Sequence, residues 1–432
     1  MDCGDEDFRP LVEIAALRQQ RWESQRAYVI EHSPFFGRLW KGQTVPDRLE
    51  ELAALPLCNK TMLRESQAAS PPFGDSLAAD PGKVVRLHRT SGTTGQAMNI
   101  AQTRADAEQT ARIGGRALKT AGLGPKHMVA HCLNYQMWMG GVSDHLAVEA
   151  TGATVVPFGV GNTELLVRTI LDLNITAIHC TPSYPAVLEQ TIADRFSNLT
   201  PRALGLKIAV MGGEAGLDNP SFRTRLEDVW GFAVRNANYG VSDVFSNFAS
   251  QCSENHDLHF VGHDVLHVEL IEPESGDAVP WDEGATGELV LTHVAREAQP
   301  VVRFRTNDTL TVTGMGTCRC GRTTPRFKVL GRSDDMVVIR GINVFPTAVG
   351  EVINGFKELS GEYCIRLKGP GPYDRLPVEA ELGHGAEPSD LLVTQLVEAI
   401  KAIAHVSATV TLLPPLALPR SEGKTQRLFR ED

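Results

Sequence analysis

The sequence predicts an α/β protein: a large N-terminal region of several subdomains, with α/β sheets and a β-rich part, followed by a small α+β C-terminal domain. Three observations carry this. From about residue 84, short β-branched runs alternate with helix-like segments, the pattern of a sheet covered by helices. A strand-rich stretch follows over 264–295, broken by Pro, Gly and acidic turns that suggest antiparallel pairs. Near residue 331 the pattern restarts as a compact set of elements of its own.

Segments 9–32 and 47–68 read as helical or mixed, with acidic and basic residues interleaved. The run 84-VVRLH-88 is strand-like. The alternation then proceeds through 127-HMVAHCL-133, 153-ATVVPFG-159, 164-ELLVRTILDL-173, 176-TAIHCTP-182, 184-YPAVLEQTI-192 and 206-LKIAVMGG-213. After 331-GRSDDMVVIRG-341 come a helix at 347–356, strands at 362–367 and 377–382, a helix at 388–404 and a strand at 408–413. The change of pattern sets a domain boundary close to Asp334, giving domains 1–333 and 334–432.

The chain has 432 residues; at about 100–200 residues per domain, that bounds it to a few compact units. Hydrophobic residues are 42% and charged residues 22%, ordinary for a globular protein with a sizeable core. The net charge of −10 argues against a nucleic-acid partner. No apolar run nears the ~18–20 residues a membrane span needs. The acidic start MDCGDEDFRP has no hydrophobic signal region, so a cytoplasmic protein is expected. Eight cysteines in such a chain are not a disulfide framework. Most are scattered, but Cys318 and Cys320 lie together in 317-TCRCGRT-323, which invites a metal reading.

The stretch 89-RTSGTTGQAMNI-100 carries the first chemistry. Gly92 and Gly95 let main-chain N–H groups approach a ligand, and Thr90, Ser91, Thr93 and Thr94 add hydroxyl donors. Such a nest binds anions. It is not a Walker A loop, because the glycines are too close together and no Lys follows. Taken alone, it reads equally as a solvated turn.

Its neighbours decide the matter. In order come 212-GGE-214, 239-YGVSD-243, 287-GELVLT-292, 303-RFRTND-308, 331-GRSDDMVVIRG-341 and 420-RSEGKTQR-427. With the glycine-rich loop, this series resembles the adenylate-forming superfamily of acyl-CoA synthetases and adenylation domains. The runs 135-YQMWMGG-141, 179-HCTPSYP-185, 298-AQPVVRFRTND-308, 331-GRSDDMVVIRGINVFPT-347 and 419-PRSEGK-424 resemble its phenylacetate-CoA ligase branch. The likeness runs from about residue 15 to the end.

The resemblance implies a carboxylate attacking the α-phosphate of ATP, release of pyrophosphate, and transfer of the acyl group from the adenylate to a thiol, coenzyme A foremost. Catalysis of the first step is mainly positioning and charge stabilisation at phosphorus. By this likeness Thr90, Ser91, Gly92, Thr93, Thr94 and Gly95 hold the β- and γ-phosphates. Gly213 and Glu214 lie near the adenine, Tyr239 with Gly240 stacks on the base, and Asp308 binds the ribose hydroxyls. Arg332 helps hold ribose or phosphate. Ser242 sits near the α-phosphate, and Asp243 stands where relatives usually have a Glu that binds Mg2+. Lys424 matches the lysine that bridges the attacking carboxylate and the α-phosphate. Asp334 matches the hinge about which the small domain, a mobile lid, rotates between half-reactions, bringing the loop of Gly341 to the site. The chain departs from its relatives at Gln96, Ala97, Phe304 and Asn307, where Lys, Pro, Tyr and Arg or Gly are common.

Some relatives carry a Cys…His…Cys-x-Cys arrangement. Here it corresponds to Cys252, Cys318 and Cys320 with His259, preferred over His256 because relatives have a Leu-His pair there. A closed Cys3His set would be a structural Zn2+ site; the alternative is reduced thiols in a turn.

Tyr135, Trp138, Met139 and Gly140 fall in the acyl-pocket region, with Pro182 and Tyr184 on the same wall. Flat and adaptable apolar surface suits an aromatic acid. Asn134, Gln136 and His131 are candidates to read a ring hydroxyl or amino group. The expected partners are thus a small acid and a nucleotide, with neither nucleic acid nor membrane, and the branch's dimers make a homodimer possible. Adenylation with another acceptor stays open: an amine, a carrier-protein thiol, or an aromatic amine reacting with activated nitrite, as in diazotising relatives.

Overall fold

The computed structural model describes residues 5–90, 97–214, 216–340, 342–369, 373–419 and 426–431, without the Asn343 side chain. It is the expected mixed α/β fold. Two compact units divide the chain: residues 1–159 with 235–329, and residues 160–234 with 330–432.

In the first unit, Leu11–His32 is a 22-residue helix that buries Ile14, Trp22, Gln25 and Val29, one face at helical spacing. Ser33 and Pro34 end it. Arg104–Ala121 begins with a capping box, Thr103 accepting from Asp106 N and Asp106 answering on the Thr103 N–H. It ends at Gly122, in the left-handed conformation that a Cβ would oppose. This helix packs on Met139–Ala150. At the crossing, a Cβ on Gly114 would sit 2.7 Å from that of Ala147, so only glycine permits the approach.

The β-rich part is antiparallel as its turns predicted. Leu266–Ile271 pairs with Thr286–His293, which pairs in turn with Phe304–Gly314. The second ladder shifts register between Glu288 and Val290. Phe245–Ser250 pairs with Ala233–Val241 and with Leu258–Phe260. Trp22, Phe36, Phe245, Phe248, Phe260, Phe304 and Phe327 fill the core beneath these strands. A parallel pair, Met128–His131 with Thr154–Val156, carries the segment leading to the 139–150 helix.

In the second unit, Ala177–Cys180 pairs in parallel with Ile208–Gly212, both wholly buried. Continuous apolar runs are what parallel strands covered by helices require. Residues 337–428 hold a core of their own. There, a four-stranded sheet runs Ala408–Leu413, Leu376–Leu382, Leu359–Lys368, Leu428–Glu431, with the helices Pro346–Asn354 and Asp390–Ala404 packed together. These elements stand close to the segments the sequence pattern marked. Among the described residues, no helix is long and apolar enough to cross a membrane.

The first unit also contains a buried ionic cluster. Arg116, 1% exposed, donates to Asp264 Oδ1 at 2.6 Å and to Asp7. Arg21 reaches Asp264 Oδ2 at 2.9 Å and Arg112 does so at 3.3 Å. Burial raises the Asp7 carboxyl against the pull of Arg116, whereas the arginines around Asp264 hold its carboxyl below the usual range despite burial. Arg116→Met removes the buried cation that Asp7 and Asp264 share, leaving Asp264 to Arg21 and Arg112, and is expected to destabilise the chain by about 3–5 kcal/mol in urea unfolding. A loss below about 1 kcal/mol, the size of a surface pair, would contradict this role.

Candidate functional site

Thr90 closes the strand Val84–Arg89, whose partner is Asn99–Thr103. Its N–H donates to Met98 O and its hydroxyl accepts from Met98 N, both at 2.9 Å, so the two ends of the glycine-rich loop are pinned together. Ser91, Gly92, Thr93, Thr94, Gly95 and Gln96 lie outside the described residues, as do Gly341 and Lys424.

Tyr239 and Asp308 meet, the phenol donating to Asp308 Oδ2 at 2.8 Å. The Tyr239 ring stands edge-on to Phe248 and Phe327, at 5.3 and 5.4 Å between centroids, which fixes its plane. Gly240 follows because nothing larger fits: a Cβ there would lie 1.9 Å from the Ser246 carbonyl oxygen. The 303–308 motif is built against the 287–292 motif. Arg305 forks onto wholly buried Glu288, Nε to Oε1 at 2.9 Å and Nη2 to Oε2 at 2.6 Å. Glu288 Oε1 also accepts from Asn307 N at 3.2 Å, where the chain turns through a left-handed φ of 61°. Asn tolerates that conformation better than most residues. Thr306 then accepts from Asp308 N at 3.1 Å and donates to Leu289 O at 2.8 Å.

Ser242 is half-buried beside Asp243, which is 5% exposed. Lys60 Nζ lies 3.0 Å from Asp243 Oδ2, while Oδ1 has no hydrogen-bond partner among the described residues. Lys60 begins the helix Lys60–Ala69, capped by Asn59. No local signal in 57-LCNK-60 singled it out, since its meaning depends on a partner 183 positions away. A buried carboxylate with one oxygen unmatched fits a hard divalent cation.

The second unit joins three further residues of the sequence reading. Glu214 Oε1 accepts from the Ser183 hydroxyl and Oε2 from Ser183 N, each at 3.1 Å. This sets Glu214 on the 182–184 turn, between Pro182 and Tyr184. Burial raises the Glu214 carboxyl against these two hydrogen bonds. Gly213 takes a φ of 83°, a conformation that favours glycine. Tyr184 opens the helix Tyr184–Arg195, its hydroxyl 3.4 Å from Thr163 Oγ1. Arg332 donates in bidentate fashion to Asp334, at 2.9 and 2.7 Å, so the nucleotide candidate and the hinge candidate form one ion pair.

In the first unit, the segment 134–141 is fixed from several sides. His131 Nε2 lies 2.9 Å from Gly141 O, and Arg89 N donates to Met137 O at 2.8 Å. Asn134 Oδ1 accepts from Gln136 N at 2.8 Å. The side chains of His131 and Asn134 thus bond to their own loop, whereas Gln136 enters through its main-chain N–H and is exposed. Met137 takes a φ of 59°, Met139 is buried, and the Trp138 ring covers Gly140. Tyr135 is half-buried, with its hydroxyl 2.9 Å from His145 Nδ1; His145 Nε2 lies 3.2 Å from Glu149 Oε1.

Cys252, His259, Cys318 and Cys320 come together, all four ligand atoms within 4.8 Å of one another. Two sulfurs on a tetrahedral zinc ion, each at about 2.3 Å, stand about 3.8 Å apart. Cys252 Sγ and Cys318 Sγ are 3.9 Å apart, and Cys320 Sγ is 3.7 Å from His259 Nε2. His259 Nδ1 lies 2.8 Å from the Thr324 hydroxyl, which turns Nε2 to the thiols. Burial pushes Cys252 up to about 12 and His259 down to about 3. The neutral imidazole is the form that ligates.

The chain is similar to known proteins along nearly its whole length. A family model described as the AMP-binding enzyme C-terminal domain matches residues 341–431. A phenylacetate-coenzyme A ligase from Thermus thermophilus is 34% identical, covering 96% of this chain and 95% of its own. One from Escherichia coli K12 is also 34% identical, at 96% and 94% coverage. Among solved structures, 2-hydroxyisobutyryl-CoA ligase in the postadenylation state, in complex with R3-HIB-AMP, matches with a TM-score of 0.89 at 27% identity. That match covers 99% of this chain and 91% of the other.

One buried acid stands beside this machinery. Asp144 is raised to about 7 by burial, against its ordinary 3.8, with Asn238 and Ser246 opposing the rise. The folded chain holds that proton more tightly than the unfolded chain, so stability is full below the unfolded value and falls as pH rises through the folded one. Asp144→Asn cannot ionise; it is expected to match wild type in melting temperature at about pH 4 and exceed it at about pH 8. Parallel pH profiles of the two chains would contradict this.

Proposed function

The chain belongs to the phenylacetate-coenzyme A ligase family of adenylate-forming enzymes and is an AMP-forming ligase, and we propose that the acid it activates is aromatic and that coenzyme A takes the acyl group. ATP-dependent formation of an acyl-adenylate, followed by thioester formation, is the family's activity. The observation that carries the nucleotide part of the reading is the Tyr239–Asp308 hydrogen bond. It sets an aromatic face and a buried carboxylate side by side, as a base and a ribose diol require. For the acid, the support is the fixed 134–141 segment. A stacked ring loses little on binding a wall that is already ordered.

In this reading Thr90 anchors the loop that binds the β- and γ-phosphates. Ser242 lies toward the α-phosphate. Gly213 and Glu214 border the adenine, with Glu214 held by Ser183. Asp243 and its unmatched oxygen would hold Mg2+, which when bound neutralises phosphate charge. Lys60, already at that carboxylate, adds a cation to a chain that has Gln96 at the sequence position where relatives commonly have lysine. The acid's own carboxylate attacks phosphorus, and Lys424 orients it against the α-phosphate. Residues 334–432 act as the mobile lid, with Asp334 as hinge, released from Arg332 as the backbone turns. Cys252, His259, Cys318 and Cys320 would hold a structural Zn2+, closing two loops of the first unit. The compartment is the cytoplasm.

ATP–pyrophosphate exchange across a panel of acids tests the reading. Aromatic acids are expected to drive exchange, and Lys424→Ala to lower it by about a hundredfold or more while the fold persists. Preference for long aliphatic acids would overturn the aromatic assignment, exchange requiring nitrite would move the chain to the diazotising reading, and near-normal exchange in Lys424→Ala would remove that residue's role.

Elemental analysis of the purified chain is expected to give about one zinc per chain. Cys318→Ser should lose the metal and melt at a lower temperature. Metal-free protein with all four ligands intact and unchanged stability would refute the site.

A further inference from the structure

Asp144 is wholly buried on the second turn of the Met139–Ala150 helix, and the chemistry above gives it no task. Its Oδ2 accepts from Asn238 Nδ2 at 2.5 Å. Its Oδ1 has no hydrogen-bond partner among the described residues. The Ser246 hydroxyl is near enough to favour the charged carboxylate, yet its Oγ is also unmatched. Buried carboxylate oxygens are nearly always satisfied, because leaving one bare is costly.

The surroundings suggest what satisfies it. Side chains on a helix lean toward its N-terminus, over the residues three and four positions earlier. For Asp144 those are Gly141 and Gly140, which carry no side chain and are covered by the Asn134–Tyr135 backbone and the Trp138 ring. The Trp138 ring borders this space, since a Cβ on Gly140 would lie 3.1 Å from it. Gly141 packs under Tyr135, where a Cβ would come within 2.8 Å of the Tyr135 Cα. Tyr135 in turn feels the field of Asp144. The Tyr135 hydroxyl has a partner of its own. Its oxygen lies 2.9 Å from His145 Nδ1, and His145 Nε2 lies 3.2 Å from Glu149 Oε1. One short stretch of backbone therefore carries an indole face, a carboxyl that accepts in its ionised form, and a phenol oxygen.

We propose that Asp144 is a specificity residue, and that the acid this chain takes bears a hydrogen-bond donor, an amino or hydroxyl group on its ring, which Asp144 Oδ1 accepts with the Tyr135 oxygen as second acceptor. This rests on the aromatic-acid reading of the 134–141 segment. The bland alternative is a strut: Asp144 holds Asn238, and through it the neighbouring Tyr239, without meeting substrate. A strut affects every acid alike; a specificity residue changes their ratio.

The experiment is ATP–pyrophosphate exchange by wild type, Asp144→Ala and Asp144→Asn. The probes are benzoate, phenylacetate and the ring-amino and ring-hydroxy derivatives of each. Wild type is expected to favour its best donor-bearing acid over the parent acid by about a hundredfold or more in kcat/KM, since a site built to accept from a substrate group rejects the analogue lacking it. Asp144→Ala should bring that ratio close to unity while exchange with the parent acid is kept or improved. Asp144→Asn, which keeps an oxygen acceptor without the charge, should fall between. If Asp144→Ala does not fold, the Asp144→Asn ratio decides. Wild-type preference for the parent acids, or an equal loss on all acids in the variants, overturns the proposal. If no acid supports exchange in wild type, the ligase reading itself fails, an outcome distinct from a working ligase without the donor preference, and the proposal falls with it.

Discussion

The two-pronged ion pair between Arg305 and Glu288 holds the nucleotide side of the first unit together. Glu288 is wholly buried, and a lone carboxylate in that position would be strongly disfavoured. The guanidinium fork meets both of its oxygens, and the Asn307 N–H adds a third donor. One carboxylate thereby fixes a side chain from its own ladder and the main chain at a left-handed turn. Asp308 takes its direction from that turn, and Tyr239 takes its hydroxyl's partner from Asp308. The register shift between Glu288 and Val290 belongs to the same device, because a bulge re-aims the residues beside it.

Close contact plays the complementary part. Gly240 passes the Ser246 carbonyl where a Cβ would collide, and Gly141 does the same at Asn134. Gly114 lets the 104–121 helix lie against the 139–150 helix. These glycines trade backbone entropy for approach. The approach seats the 139–150 helix, and with it Asp144, against the 104–121 helix.

Against this well-matched background, two buried acids stand out. The first unit's charges are mostly answered: Arg116 by two carboxylates, Arg303 by Glu269, Arg305 by Glu288. Asp243 and Asp144 each keep an oxygen without a partner among the described residues. Other buried polar atoms of the described residues are unmatched as well, Gln102 Oε1, Asn247 Oδ1 and Arg296 Nη1 among them, but a wholly buried carboxylate oxygen is the costliest to leave so. Asp243 sits in a motif the family shares; Asp144 does not.

The alternation of β-branched and helical runs, the Pro- and Gly-rich turns of 264–295 and the restart near 331 were enough to read the architecture, because side-chain periodicity is a local property of the chain. Motif order likewise identified the family, and it marked Tyr239, Asp308 and the four Cys and His positions before any geometry was known. The pairing of those residues was not local. That the Tyr239 hydroxyl serves Asp308, that Lys60 reaches Asp243 and that Glu288 clamps the turn of Asn307 each depend on segments far apart in sequence and brought together by the sheet. Asp144 shows the limit most plainly. In sequence it is one charged residue in VSDHL; only burial, the two glycines before it and the missing partner at Oδ1 make it a candidate for function. Sequence determined which groups the chain carries and how its elements repeat, whereas the tertiary structure decided which of those groups are removed from water and left unpaired, since desolvation exists only once the core has closed.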